Sequence, residues 1–205
     1  MERRISFPSR DGLLLEGLVD EGEDARHGWV ILCHPHPLYG GDMDSSVVHA
    51  LQSVLTARGF STLRFNFRGV GGSGGVYGEG LAEVQDVHGA LDFVAAKDVT
   101  AYLVGYSFGA YVGSLGIVND SRVRALGCVS PPVEMYDFTF LMAYENPALF
   151  VAGDQDFVCP VQKLTTLFNA VAQPKTLQII PGADHFWWGF EHQLAHLVAE
   201  FLEGL

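Results

Sequence analysis

Six short runs, Trp29–Cys33, Ser61–Phe67, Ala101–Tyr106, Val123–Val129, Ala148–Ala152 and Thr176–Ile180, are rich in Val, Ile, Leu and Phe. Most are apolar on both faces, without the strict alternation of a half-solvated strand. Such strands need cover above and below, which a parallel sheet obtains from flanking helices. The intervening segments meet that need. Ser45–Arg58, Gly80–Lys97, Phe108–Val118, Val161–Val171 and Gly189–Leu202 carry apolar residues at helical spacing; Val84, Val87, Leu91 and Val94 make one stripe on the second. Repeated strand–helix alternation predicts a doubly wound α/β sandwich. Ahead of it, Arg4–Pro8 and Leu13–Val19, separated by Asp11-Gly12, predict a hairpin. Ligands of such sheets bind beyond the carboxyl ends of the strands.

A chain of 205 residues is most simply one domain, spanning 1–205. Hydrophobic residues make up 48% and charged residues 18%, enough apolar material for both layers of such a core. The formal net charge of −12 argues against nucleic acid or an anionic membrane as partner, since little here would neutralise phosphates. The start, Met-Glu-Arg-Arg-Ile-Ser-Phe-Pro, lacks the apolar region of a secretory signal, and no apolar stretch approaches a membrane span. Cys33, Cys128 and Cys159 are odd in number, lie in or beside apolar runs and show no C-x-x-C spacing, so buried free thiols are expected. These features point to a soluble cytoplasmic protein, monomeric or homodimeric.

One of the six runs leads into chemistry. Ala101–Tyr106 passes directly into Gly105-Tyr106-Ser107-Phe108-Gly109 and then into a helical segment. Gly-x-Ser-x-Gly between strand and helix can hold the serine on a strained turn, its hydroxyl exposed at the sheet edge. The N–H of the following residue and the positive end of the helix then face any negative charge developing beside that hydroxyl. A serine hydroxyl is a weak nucleophile at neutral pH and needs a base, which in turn needs a carboxylate to orient it. Both types follow in the loops after later strands: Gly153-Asp154-Gln155-Asp156 and Gly182-Ala183-Asp184-His185. Ser107 and His185 are therefore candidates for nucleophile and base. Spacing does not separate Asp154 from Asp156 as the acid, and Asp184 is disfavoured by adjacency to His185.

An oxyanion site needs two N–H donors. Phe108 offers one, and the loop His34-Pro35-His36-Pro37-Leu38-Tyr39-Gly40-Gly41 the other. Prolines have no N–H, which leaves the backbone of His36, with Leu38 behind it. Tyr39, Trp187 and Trp188 are candidate pocket walls, the tryptophans from the aromatic run that follows His185. The glycine-rich stretch Gly69–Gly75 lacks a Walker ending and a Rossmann acid, so it reads as a tight loop, with Arg68 paired to an acid such as Asp86. His192 and His196 stand four apart but have no evident third ligand, and His34 with His36 reads as structural or site-lining. No metal and no cofactor are expected.

Taken together, His34-Pro35-His36-Pro37 with Gly40-Gly41, Asn66-Phe67-Arg68-Gly69-Val70-Gly71 with Ser73, Gly105–Gly109, Gly153–Pro160 and Gly182–Phe186 resemble small α/β-hydrolases of the dienelactone-hydrolase-like, serine esterase group, along essentially the whole chain. The resemblance implies a mostly parallel eight-stranded sheet with helices on both faces. Its acid-loop pattern, Gly-x-x-Asp-x-x-Val/Cys-Pro, implies Asp156. True dienelactone hydrolases have a cysteine nucleophile where this chain has Ser107, so their substrate does not carry over. Many relatives insert a helical lid after the strand matching Val123–Val129; here Ser130–Pro147 leaves room for one short helix or flap. The expectation is a lidless hydrolase of small carboxylic esters. Peptidase, acyltransferase and non-catalytic binding protein are the alternatives.

Overall fold

The computed structural model describes residues 2–22 and 27–205. Eight strands form one sheet: β1 (Glu2–Pro8), β2 (Leu14–Asp20), β3 (Trp29–Cys33), β4 (Ser61–Phe65), β5 (Ala101–Tyr106), β6 (Val123–Val129), β7 (Ala148–Gly153) and β8 (Lys175–Ile180). Their order is β1-β2-β4-β3-β5-β6-β7-β8. The hairpin β1–β2 joins β4 antiparallel, and every pairing from β4 to β8 is parallel. This is the α/β-hydrolase arrangement, with no cap domain.

Five helices cover the sheet: α1 (Ser46–Ala57), α2 (Glu83–Ala95), α3 (Phe108–Ile117), α4 (Val161–Ala170) and α5 (Glu191–Glu203). Strand residues divide between the two faces as the period of two requires. In β3, Ile31 and Cys33 pack toward α2 and α3, while Val30 and Leu32 pack toward α1 and α5. In β7, Phe150 faces the first layer, and Leu149 and Val151 face the second. Cys33, Cys128 and Cys159 are free and buried. Among the described residues, no helix is long and apolar enough to cross a membrane.

Two helices begin later than apolar periodicity suggests, for the same reason. The Glu83 carboxylate accepts the N–H groups of Gly78 and Gly80, turning residues 78–82 into a capping loop ahead of α2. Glu191 likewise accepts from the Gly189 N–H at the start of α5. A carboxylate near a helix N-terminus satisfies backbone donors that have no intrahelical partner. Between β6 and β7 the chain makes a single short 3₁₀ turn, Thr139–Ala143.

Candidate active site

The turn after β5 is built by contacts that exclude side chains. A Cβ at Gly105 would lie 2.2 Å from the Gly109 carbonyl oxygen, and one at Gly109 would lie 2.2 Å from that of Cys33. Only glycine at both places lets α3 cross this close to β3 and β5. Ser107, between them, adopts φ 54°, ψ −120°, a conformation costing about 1–3 kcal/mol that the surrounding packing sustains. Its Oγ then points out of the carboxyl edge of the sheet.

Two loops converge on that hydroxyl. Ser107 Oγ lies 2.9 Å from His185 Nε2, and His185 Nδ1 lies 3.0 Å from both oxygens of Asp156. Nδ1 faces a carboxylate that can only accept, so Nδ1 carries the proton and Nε2 presents a lone pair to the Ser107 hydroxyl. All three side chains are largely shielded from water. Burial pushes the Asp156 carboxyl up. Bonds from His185, Ser130 and the Cys159 N–H outweigh it and hold the carboxyl below its ordinary range. Asp156 Oδ1 also accepts from the Val158 N–H at 2.9 Å.

Asp154 is exposed and points elsewhere, its Oδ1 accepting from the Gly182 N–H at 2.8 Å. Asp184 likewise serves its own turn, accepting from the N–H groups of Phe186 and Trp187. The geometry thus brings Asp156, and neither neighbour, beside the imidazole.

A cavity of about 650 Å³ opens over Ser107, lined among others by His36, Tyr39, Phe108, Tyr136, Phe157, His185, Phe186 and Trp188. Tyr39 and Trp188 both line it. Trp187 does not. With its backbone at φ 63°, its indole turns inward, where it is fully buried in the layer formed with α5, and Nε1–H donates to Ser130 Oγ at 2.9 Å. A large ring with one donor is most stable where its body is dry and its N–H meets an acceptor, and Ser130 supplies that acceptor. The expected pocket residue is thus a core residue standing behind Asp156.

The His34 and His36 rings are engaged in shaping their loop. His34 is buried, accepts the Phe67 N–H on Nε2 and donates Nδ1–H to the Pro35 carbonyl. Burial lowers its pKa to about 4, so the ring is neutral. His36 Nδ1 accepts the Leu38 N–H, and its Nε2 lies 3.2 Å from the Tyr77 hydroxyl. Arg68 forms the expected staple, bound to Asp86 along a fork of hydrogen bonds and to Asp11. The glycine-rich loop is stapled likewise: Glu16 accepts the Gly72 N–H, and Ser73 donates to the Asn66 carbonyl. His192 and His196 are exposed on α5, and no cluster of metal-ligating side chains occurs among the described residues.

Two contributors were not anticipated from the sequence. Ser130, just past β6, links Trp187 to Asp156. Tyr106 donates its hydroxyl to the His185 carbonyl at 2.8 Å, fixing the loop that bears the imidazole. Ser130 could have been sought at the carboxyl end of a central strand, where site residues gather.

No protein-family model matches the chain. An α/β serine hydrolase homologue from Coxiella burnetii is 34% identical, superposes with TM-score 0.90 and shares 97% of this chain and 96% of its own. XC6422 from Xanthomonas campestris, an α/β serine hydrolase without a lid, is 27% identical at TM-score 0.87, over 98% of this chain and 94% of its own. An uncharacterized protein of Rickettsia prowazekii is 32% identical over 97% of this chain and 88% of its own length. Sheet order, the turn at Ser107 and these similarities agree: the chain belongs to the α/β-hydrolase superfamily and carries that fold without a cap domain.

Proposed function

We propose that the protein is a serine hydrolase of small carboxylic esters, acting through an acyl-enzyme on Ser107. The observation that carries this reading is the unbroken hydrogen-bond line from Ser107 through His185 to Asp156 at the floor of an open cavity. In the first step Ser107 Oγ attacks the ester carbonyl carbon while His185 Nε2 takes the hydroxyl proton. Asp156 stabilises the imidazolium so formed. The carbonyl oxygen becomes an oxyanion facing the backbone N–H groups of Phe108 and His36, two residues that line the cavity. The alkoxide leaves as the carbon–oxygen bond breaks, taking the proton from His185. Water, deprotonated by the same imidazole, then attacks the acyl carbon, and Ser107 leaves with the returned proton.

The open mouth supports soluble esters over lipid droplets, since nothing in the 130–147 segment is large enough to act as an interfacial lid. A fluorophosphonate probe tests the nucleophile. It should label the wild-type protein at Ser107, and Ser107→Ala should abolish both labelling and hydrolysis of p-nitrophenyl acetate. Labelling that persists in the variant rejects this reading, as does wild-type protein that neither reacts with the probe nor hydrolyses the ester.

A further inference from the structure

One wall of the cavity is made of aromatic rings standing beside the base. The ring centroids of Phe157 and Phe186 lie 6.4 Å and 5.8 Å from the His185 imidazole and 6.5 Å from each other. Trp188 stands 5.7 Å beyond Phe186. All three are in water, at 69%, 47% and 75% exposure. Neighbouring rings at such spacings can receive a further ring in an offset or edge-on contact. Among the described residues no lysine or arginine lines the cavity, and Arg68 is bound to Asp86 and Asp11. A substrate carboxylate would find no lysine or arginine among these lining residues, in a chain of net charge −12.

The chemistry assigns this wall to one half of an ester. His185 must hand its proton to the departing oxygen, so the alcohol half lies on the imidazole side, and the carbonyl oxygen lies toward Phe108 and His36. Resting on the ester-hydrolase reading, we propose that Phe157, Phe186 and Trp188 form a leaving-group subsite, selecting uncharged esters whose alcohol carries a planar aromatic group.

The experiment compares naphthylmethyl acetate with ethyl acetate. The two alcohols are of similar acidity, so bond cleavage is chemically matched, and both esters give the same acetyl-enzyme, so deacylation is shared. The aryl ester should win in kcat/KM by roughly 10- to 100-fold, the range expected for aromatic contacts and added apolar burial. Trp188→Ala and Phe157→Ala should each lower the aryl-to-alkyl ratio by about fivefold or more. A merely structural loss would lower both rates and leave the ratio in place. Equal kcat/KM for the two esters, in protein whose hydrolysis depends on Ser107, overturns the subsite while leaving the hydrolase reading intact. A ratio that survives both substitutions also overturns it. If the rings instead pack against a second copy, sedimentation shows a dimer as concentration rises and the aryl preference is absent, which overturns the subsite too. Protein that hydrolyses no ester removes both readings together.

Discussion

Replacing Asp156 by asparagine isolates the carboxylate's charge from its shape. Oδ1 of Asp156 receives the backbone N–H groups of Val158 and Cys159 at 2.9 and 2.8 Å. An asparagine must keep its carbonyl oxygen there, because an amide NH₂ would set donor against two donors. The NH₂ group then occupies the Oδ2 position, 3.0 Å from His185 Nδ1. With a donor at one of its two contacts and, at the other, a carbonyl oxygen already taken by two N–H groups, Nδ1 gives up its proton to Nε2, and the ring presents N–H instead of a lone pair to Ser107. The base is lost with little change in volume. Wrong tautomer and missing imidazolium stabilisation together are worth about 10⁴-fold, or about 5.5 kcal/mol of activation free energy. Asp154→Asn is the matched control: its remaining oxygen can still accept from Gly182, and no contact reaches His185. Acylation rates with p-nitrophenyl acetate, with thermal melts to confirm folding, give the comparison. A folded Asp156→Asn protein within tenfold of wild type, or a larger loss from Asp154→Asn, would refute the reasoning.

Two further outcomes follow from the site's supports. Trp187→Phe removes the donor to Ser130 while keeping an aromatic ring; loss of one buried hydrogen bond and part of the indole volume should cost about 2 kcal/mol of stability, read from urea titration, and lower kcat by less than about tenfold because Ser130 still reaches Asp156. His34 makes stability depend on pH: its folded pKa, about 4, is below the ordinary 6.5, so the unfolded chain binds the proton first. Stability is then complete above about 6.5 and falls as pH drops toward 4, by up to about 3 kcal/mol; His34→Asn should flatten that part of the curve in urea titrations repeated across this range, and an unchanged slope would contradict it.

The sheet was legible because its central strands, β3 to β7, are buried on both faces and most of its helices carry one apolar stripe. Neither pattern depends on distant residues. Helix starts were less legible because Glu83 and Glu191 override local periodicity by binding backbone N–H groups ahead of α2 and α5. Around the site, Gly105 and Gly109 announced the turn because no other residue fits those backbone approaches. Asp154 and Asp156 were inseparable by spacing: two residues of one loop diverge only when its hydrogen bonds are known. Trp187 misled for a similar reason. It adjoins Trp188 in sequence, yet a positive φ at Trp187 sends its ring inside and leaves that of Trp188 in water. Ser130 had no pattern at all, since its role exists only through partners 26 and 57 residues away along the chain.

Tyr106 has a consequence for how the site tolerates motion. The residue immediately before Ser107 grips the carbonyl of His185 through its phenol. Ser107 and the tether of the His185 loop therefore ride on one strand end. A tilt of β5 within the sheet carries Ser107 and the His185 backbone in concert, because a phenol joins the two segments directly. Alignment should survive warming up to the point where that phenol lets go.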